Sequence, residues 1–120
     1  MRRVLTLAVW LFAASAYAAD FTFCASGCDY TTPGACANAV GAGNRCLGNT
    51  GSYSGWTQTA DGTAGNPITI TKGVGQTVTI TSAVTLTNRD YITLDSLVLL
   101  TVTMGACPSD GSFITITNNS

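Results

Sequence analysis

The fold of this chain is decided by residues 66–100, NPITITKGVGQTVTITSAVTLTNRDYITLDSLVLL. Apolar side chains alternate there with Thr, Lys, Gln or Asp; they are Ile68, Ile70, Val78, Ile80, Val84, Leu86, Ile92 and Leu94. A period of two is typical of short strands with one buried and one solvated face. Turn-forming residues separate the runs, and no helix-length amphipathic segment interrupts them. The stretch therefore predicts an all-β fold.

Similar strand sequences restart along the chain: ITIT at 68, VTIT at 78, VTLT at 84, YITL at 91, VLLTVT at 98 and FITIT at 113. Their connections are too short for helical crossovers, so the pattern fits either a β-sandwich or a solenoid of stacked strands. Before this region we expect strands at 21–25 and 45–49, a short helix at 35–40, a turn at 51–55 and a surface loop at 56–65.

The composition limits the classes of partner. The chain has 120 residues, of which 9% are charged, and it contains no His. Beyond the first 18 residues only Arg45, Lys72 and Arg89 are basic, against six Asp, which gives this part a net charge of −3. No basic cluster occurs, so the sequence argues against a nucleic-acid partner or an anionic membrane surface.

Residues 1–18 have the three parts of a secretory signal peptide. Arg2 and Arg3 are followed by an apolar run at 4–14 and by Ala-Tyr-Ala at 16–18, which predicts cleavage before Ala19. The apolar run is shorter than the roughly 20 residues that span a bilayer. We therefore expect a secreted, periplasmic or cell-surface protein with no membrane attachment after cleavage.

Export makes disulfides permissible, and four cysteines lie close together near the mature N terminus: Cys24, Cys28, Cys36 and Cys46. Four cysteines allow three pairings, and our hypothesis is Cys28 with Cys36 and Cys24 with Cys46. Their spacing lacks the tight C-x2-C pairs of zinc sites. Cys107 is left over, which suggests an intermolecular bond, a free thiol or a partner missing from the chain.

Three segments carry a resemblance to a known family: AGNRCLGNTGSYSG from residue 42, GTAGNPITIT from 62 and DYITLDSLVL from 90. They resemble the opening of right-handed parallel β-helix proteins of the pectate-lyase-like group. Ser96 stands where that group usually has Gly. The resemblance implies a right-handed parallel β-helix with a short N-terminal capping helix. Together with the leader and the cysteines, it divides the chain into a signal peptide at 1–18, a disulfide-bearing cap at 19–55 and the first coils at 56–120. Two or three coils are implied, which suggests an incomplete solenoid and hence a fragment.

The resemblance also implies a function, namely binding or cleavage of an extracellular, acidic polysaccharide. An enzyme of this kind is a polysaccharide lyase or a glycoside hydrolase, but no catalytic motif of the group maps onto this chain. No cofactor is evident, although calcium held by Asp is possible in a full-length protein. Asp90 and Asp95 form the nearest carboxylate pair, and we interpret them as turn residues. Lys72 and Arg89 could contact an anionic sugar or be ordinary solvated charges.

Two further surfaces have alternative interpretations. Tyr53 and Trp56 could stack on a sugar ring or could close the core of the first coil. Repeated Thr-x-Thr pairs could form the hydroxyl ladder of an ice-binding solenoid, but the irregular spacing of successive pairs argues against it, and Thr is a good strand former in any case. A non-catalytic surface or adhesion solenoid is the main alternative to a polysaccharide-active protein.

Overall fold

The computed structural model of the protein describes residues 19–104 and 114–119. The predicted signal peptide and Cys107 lie outside these residues. The elements are β1 (Asp20–Phe23), α1 (Pro33–Ala37), β2 (Arg45–Gly48), β3 (Gly51–Tyr53), β4 (Ile68–Lys72), β5 (Val78–Ile80), β6 (Val84–Thr85), β7 (Ile92–Asp95), β8 (Val98–Leu99), β9 (Val102–Thr103) and β10 (Ile114–Thr117). No helix in this part of the chain is long and apolar enough to cross a membrane.

The strands stack into three parallel sheets. The sheet orders are β1-β2-β4-β7-β10, β3-β5-β8 and β6-β9, and neighbouring strands in each of these sheets run parallel. Successive strands of the chain visit the sheets in rotation, so the backbone coils through about four turns. This arrangement confirms the predicted parallel β-helix, because a sandwich with hairpin connections requires antiparallel neighbours.

Register in the five-stranded sheet changes little from coil to coil. Asp20 pairs with Arg45 at a separation of 25 residues. The separation is 24 residues between β4 and β7 and 22 between β7 and β10. Equivalent residues of successive coils are therefore stacked directly upon one another.

This stacking builds the core from the alternating apolar residues. All eight of the inward-facing side chains predicted between 66 and 100 are at most 2% exposed. Ile68 stacks on Ile92 and Ile70 on Leu94, each like on like along the coil axis. Burial of each such side chain stabilises the fold by roughly 1.5–3 kcal/mol.

The predicted turn at 51–55 is partly wrong. Gly51–Tyr53 is strand β3, which pairs with β5 and so starts the second sheet. A strand of three residues is too short to show a periodic pattern, and the glycines at 51 and 55 are typical of a turn. The phrase GTAGNP is a true turn: Thr63 and Asn66 exchange backbone hydrogen bonds of 3.0 and 2.8 Å, and Gly65 has a positive φ of 77°.

Helix α1 begins two residues before its predicted start. Thr32 is its N-cap and accepts a hydrogen bond from Ala35 N at 3.1 Å, while Pro33 occupies the first turn, where its missing N–H costs nothing. The helix packs against β1, β2 and β4 and buries Cys36 and Ala37 completely. A helix of this length depends on that packing, because five residues do not form a stable helix in water.

The hypothesis for the disulfide pairing is wrong, although all four predicted cysteines are bonded. Cys24 pairs with Cys28, and Cys36 pairs with Cys46 at a Cα–Cα distance of 6.0 Å. Cys36 projects into the core from the helix, and Cys46 is on the buried side of β2, so these two side chains meet. The chain after β1 turns back at Gly27, which has a φ of 89°, and brings Cys28 to Cys24 instead.

The edge of the first strand is covered. Tyr30 N donates to Thr22 O at 2.9 Å and Tyr30 O accepts from Cys24 N at 3.1 Å, so the cysteine loop supplies a short partner for β1. Asp29 adds a carboxylate that accepts from Thr22 N at 3.0 Å. A covered, charged edge discourages pairing with another chain.

Candidate functional site

The outer face of the five-stranded sheet carries two columns of polar side chains, which together we call the outer ladder. Thr69, Thr93 and Thr115 form one column, in register from β4 to β10. The second column is formed by Thr71, Asp95 and Thr117, held together by hydrogen bonds along the coil axis. Because strands of a parallel sheet lie about 4.8 Å apart, the first column presents evenly spaced hydroxyl groups. In the second column Thr71 is buried and Asp95 supplies a carboxylate.

Asp95 is the charged member of the outer ladder. Its Oδ1 accepts hydrogen bonds from Thr117 Oγ1 at 2.8 Å and Asn118 Nδ2 at 3.1 Å, and Oδ2 lies 3.5 Å from Thr71 Oγ1. These donors, Thr117 first, lower the pKa of the Asp95 carboxyl against a smaller opposing effect of burial. Asp95 is therefore ionised at neutral pH and is unsuited to act as a general acid.

A groove lies where the five-stranded sheet turns into the three-stranded sheet, beside Asp95. It has a volume of about 190 Å³, and its polar lining includes Lys72, Gln76, Ser96 and Asn118. We call it the corner groove. Ser96 and Asn118 occupy equivalent corners of successive coils and share a left-handed backbone, with φ of 58° and 52°. The turn repeats, so the corner has the same shape in both coils.

Lys72 is the exposed cation of the corner groove. The ion pairs among residues 19–104 and 114–119 are Asp20 with Arg45 at 2.8 Å and Asp61 with Arg89 at 3.5 Å. Lys72 belongs to neither, so its ammonium group is not neutralised by a carboxylate in the part of the chain that the structure describes. An exposed cation in a groove that also presents hydroxyl and amide groups is suited to an anionic, hydrogen-bonding ligand.

Arg89 is the other cation predicted to contact an anionic sugar, and its guanidinium group is bonded within the protein. Its Nη1 donates to Thr59 O at 2.7 Å and lies 3.5 Å from Asp61 Oδ1, while Nε donates to Thr87 O at 3.4 Å. Asp61 also accepts from Asp90 N at 3.0 Å. These contacts join the loops of two successive coils.

Asp90 and Asp95, which the sequence suggested as a carboxylate pair, do not form a metal-binding site in the structure. Asp90 precedes strand β7, whereas Asp95 is its last residue, so a strand separates them. No group of three or more Cys or Asp residues in the described segments is arranged to hold a metal ion. The calcium expectation concerned a longer protein and stays a prediction.

The two aromatic candidates lie in different surroundings. Tyr53 is only 8% exposed, contacts the Phe23 ring edge-on at a centroid distance of 5.0 Å, and donates its hydroxyl to Asn49 O at 2.8 Å. Burial raises the pKa of this phenol. Trp56 is half-buried: it packs over Gly34, and its Nε1 donates to Gln58 Oε1 at 2.8 Å. Stacking on a sugar stays a prediction, with Trp56 the more accessible ring.

Gln58 was not found by sequence reasoning, and a threonine ladder was considered there only to be set aside as irregularly spaced. Gln58 is 2% exposed, and its Nε2 donates to Ala37 O and Ala60 O at 3.0 Å each, so it links the helix to the loop below Trp56. Nothing in a polar loop sequence distinguishes this Gln from a surface residue. The spacing looks irregular along the chain because the threonines of one column are separated by the coil offset of 24 residues from β4 to β7.

Comparison with models of protein families, with curated proteins and with solved structures finds no match. The class of the protein therefore rests on its own geometry: it is a parallel β-solenoid fastened by two disulfides near its N terminus. Disulfides of this kind form and persist in oxidising compartments, so the fold and its cross-links fit an extracellular protein.

Proposed function

We propose that the protein binds an extracellular, acidic polysaccharide along the outer ladder and the adjoining corner groove. The observation that carries the proposal is Lys72, a cation without an ion pair in the described segments, which lines a groove together with the hydroxyl and amide groups of Gln76, Ser96 and Asn118. The Thr column of the ladder continues this polar surface over three coils. Sugar hydroxyls pair with such donors and acceptors, and a polymer can follow the coil axis.

Membership of the pectate-lyase-like group is part of the proposal. Its support is the coil with three parallel sheets, the glycine turn before Pro67 and the left-handed backbone of Ser96. Glycine adopts that conformation without strain, which agrees with the Gly usual at this position in the group. We also propose that the protein is exported, and the leader sequence at residues 1–18 supports this. N-terminal sequencing of the exported protein is expected to give Ala19 as the first residue.

Binding is tested by titrating the protein with polygalacturonate, alginate and neutral galactan. Thr93→Glu adds a second carboxylate to the outer ladder, beside the column that holds Asp95, and is expected to weaken binding to the anionic polymers severalfold. Thr79→Glu is the matched control, because Thr79 is also a half-exposed Thr on an interior strand but lies in the three-stranded sheet. Equal losses in both variants would contradict a ligand site on the outer ladder.

Cleavage is a separate question from binding. Asp95 is held in its ionised form, and its side-chain contacts in the described segments are with hydroxyl and amide donors. Incubation with polygalacturonate, with and without calcium, and with a panel of acidic glycans measures cleavage directly. Unsaturated products would indicate a lyase, new reducing ends without unsaturation a hydrolase, and binding without either product a non-catalytic adhesion solenoid.

Ice binding is the second candidate, and one observation favours it. Thr69, Thr93 and Thr115 are stacked in register, which removes the objection that the Thr-x-Thr pairs are irregularly spaced. Against it, Asp95 interrupts the second column with a charge that engages the hydroxyls of Thr71 and Thr117. Thermal hysteresis measurements decide this point, and we expect none.

A further inference from the structure

The two ends of the solenoid differ in how their apolar interior is covered. At the first coil the inner residue Phe23 of β1 is completely buried, and helix α1 packs against β1, β2 and β4. At the other end Ile116 of β10 continues the inner column of Ile70 and Leu94, with which it is in register. Ile70 and Leu94 have no exposed surface, whereas Ile116 is 43% exposed. The described residues therefore close the interior at the first coil and leave it uncovered at β10.

Exposed apolar side chains are gathered at this same end, on or beside strands β8, β9 and β10. In the described part of the chain these large hydrophobic residues are Val98, Leu100, Met104 and Ile116. Val98 and Leu100 also line a mainly apolar groove of about 300 Å³ together with Ile80. An apolar surface that is gathered in one place, rather than scattered over the molecule, marks an interaction site.

The backbone of β10 also lacks partners on one side among the described residues. β10 is the edge strand of the five-stranded sheet and pairs with β7 alone. Ser96 N donates to Thr117 O at 3.0 Å, so the backbone groups of Thr115 and Thr117 point toward β7. Those of Ile114 and Ile116 alternate with them and point away from β7, along the coil axis. A row of N–H and C=O groups of this kind is a template for pairing with another chain.

The chemistry of the two ends decides which chain fits. β1 is covered by the backbone of Tyr30 and by the Asp29 carboxylate, so a second copy cannot add its β10 there in a head-to-tail stack. The strands at the open end, VL, VT and ITIT, contain no charged residue and no Pro. An uncharged edge can meet an identical edge without repulsion between like charges. The open end is therefore complementary to itself, which favours a closed, twofold contact.

We propose that this end is the interface of a symmetric dimer, in which β10 of one copy pairs antiparallel with β10 of a second copy. Ile114 and Ile116 of each copy exchange backbone hydrogen bonds with the same residues of the other, and the exposed part of Ile116 becomes covered. A twofold axis normal to the five-stranded sheet keeps both outer ladders on one side, so the polar surface continues from one copy into the next. The inference goes beyond the proposed function, because the dimer forms whether or not a polysaccharide binds.

The test is the mass of the exported protein in solution, measured by sedimentation equilibrium. A Cys107→Ser background excludes a dimer linked by a disulfide at Cys107. We expect twice the mass of one chain at high concentration, with dissociation on dilution. Ile116→Lys brings two ammonium groups together near the twofold axis and is expected to raise the dissociation constant at least about tenfold. Val74→Lys is the matched control, because Val74 is an exposed apolar residue of the connection between β4 and β5 and should leave the dimer unchanged.

A second variant and hydrogen exchange locate the interface. Val98→Lys changes an exposed side chain of the edge strand β8 and is also expected to weaken the dimer, so the inference stays testable if Ile116→Lys does not fold. Amide exchange at Ile114 and Ile116 should slow severalfold as the concentration rises. A monomer at every concentration overturns the inference, and so does growth beyond two copies, which would indicate open-ended stacking. A dimer that both edge variants leave intact, or that Val74→Lys weakens equally, also overturns it.

Discussion

Cys36 in helix α1 is bonded to Cys46 on strand β2, and both side chains are fully buried. The bond fastens the short helix to the inner side of the five-stranded sheet, where the first coils need a cover. The other disulfide, Cys24 with Cys28, closes a small surface loop beside β1. The two cross-links therefore have different structural roles, one in the core and one at the edge.

Removal of the buried disulfide is expected to cost the most stability. For Cys36→Ala/Cys46→Ala we expect the free energy of unfolding to fall by about 2–4 kcal/mol, because the cross-link no longer restricts the unfolded chain. Cys24→Ala/Cys28→Ala should cost less stability, because the disulfide that it removes closes a loop of sequence separation 4 rather than 10. Urea denaturation measures both, and a larger loss from the Cys24–Cys28 pair would contradict the assigned roles.

Reduction should be sequential. Cys24 and Cys28 are half-exposed, whereas Cys36 and Cys46 have no exposed surface. After free thiols have been alkylated, a mild reductant followed by a second, isotopically labelled alkylating agent should modify Cys24 and Cys28 first, with the circular dichroism spectrum unchanged. Mass spectrometry of the peptides reads the order, and simultaneous labelling of all four cysteines would count against it.

Gly48 is expected to tolerate no side chain. A Cβ at this position would lie 2.6 Å from Val78 Cγ2 and would also overlap the Phe23 ring. Gly48→Ala should therefore lower the free energy of unfolding by about 1–3 kcal/mol, the usual cost of overpacking a core. Val74→Ala is the control: at 98% exposure it should change stability by less than about 0.5 kcal/mol.

Asp95 should make stability depend on acid pH. Its pKa is lowered in the folded state, chiefly by the Thr117 hydrogen bond, from an ordinary value of 3.8. The ionised Asp95 therefore stabilises the folded state. This stabilisation is complete above pH 3.8 and is lost as the pH falls through the lower pKa of the folded state. Asp95→Asn should be less stable than the wild type at pH 7, by less than about 1 kcal/mol because solvent screens the carboxylate, and this difference should disappear in acid.

Thr117→Val tests the cause of the lowered pKa. It removes the 2.8 Å hydrogen bond and keeps the carboxylate. The Asp95 pKa, followed by carboxyl carbon NMR, should rise toward 3.8 in this variant. An unchanged pKa would show that the other donors account for the shift.

Much of the fold could be predicted from local sequence, but less of the candidate site could. Ile68 and Leu94 were correctly predicted as core because alternation fixes which side of a strand faces inward. Lys72 was identified as a possible anion contact, since a charge beside a turn is visible in sequence. The exposure of Ile116 was not predicted, because alternation places its side chain on the inner face but does not show whether another coil covers it.

The sequence by itself determined the strands between residues 66 and 100, their inner faces and the set of four bonded cysteines near the N terminus, because these depend on neighbours a few residues away. The tertiary structure decided the cysteine pairing, the burial of Tyr53 and the stacking of Thr69 on Thr93. These depend on the coil offset, and connections of two residues at 49–50 and five at 73–77 conceal that offset along the chain. The stretch 66–100 thus specifies the strands, while packing of successive coils specifies the surface they form.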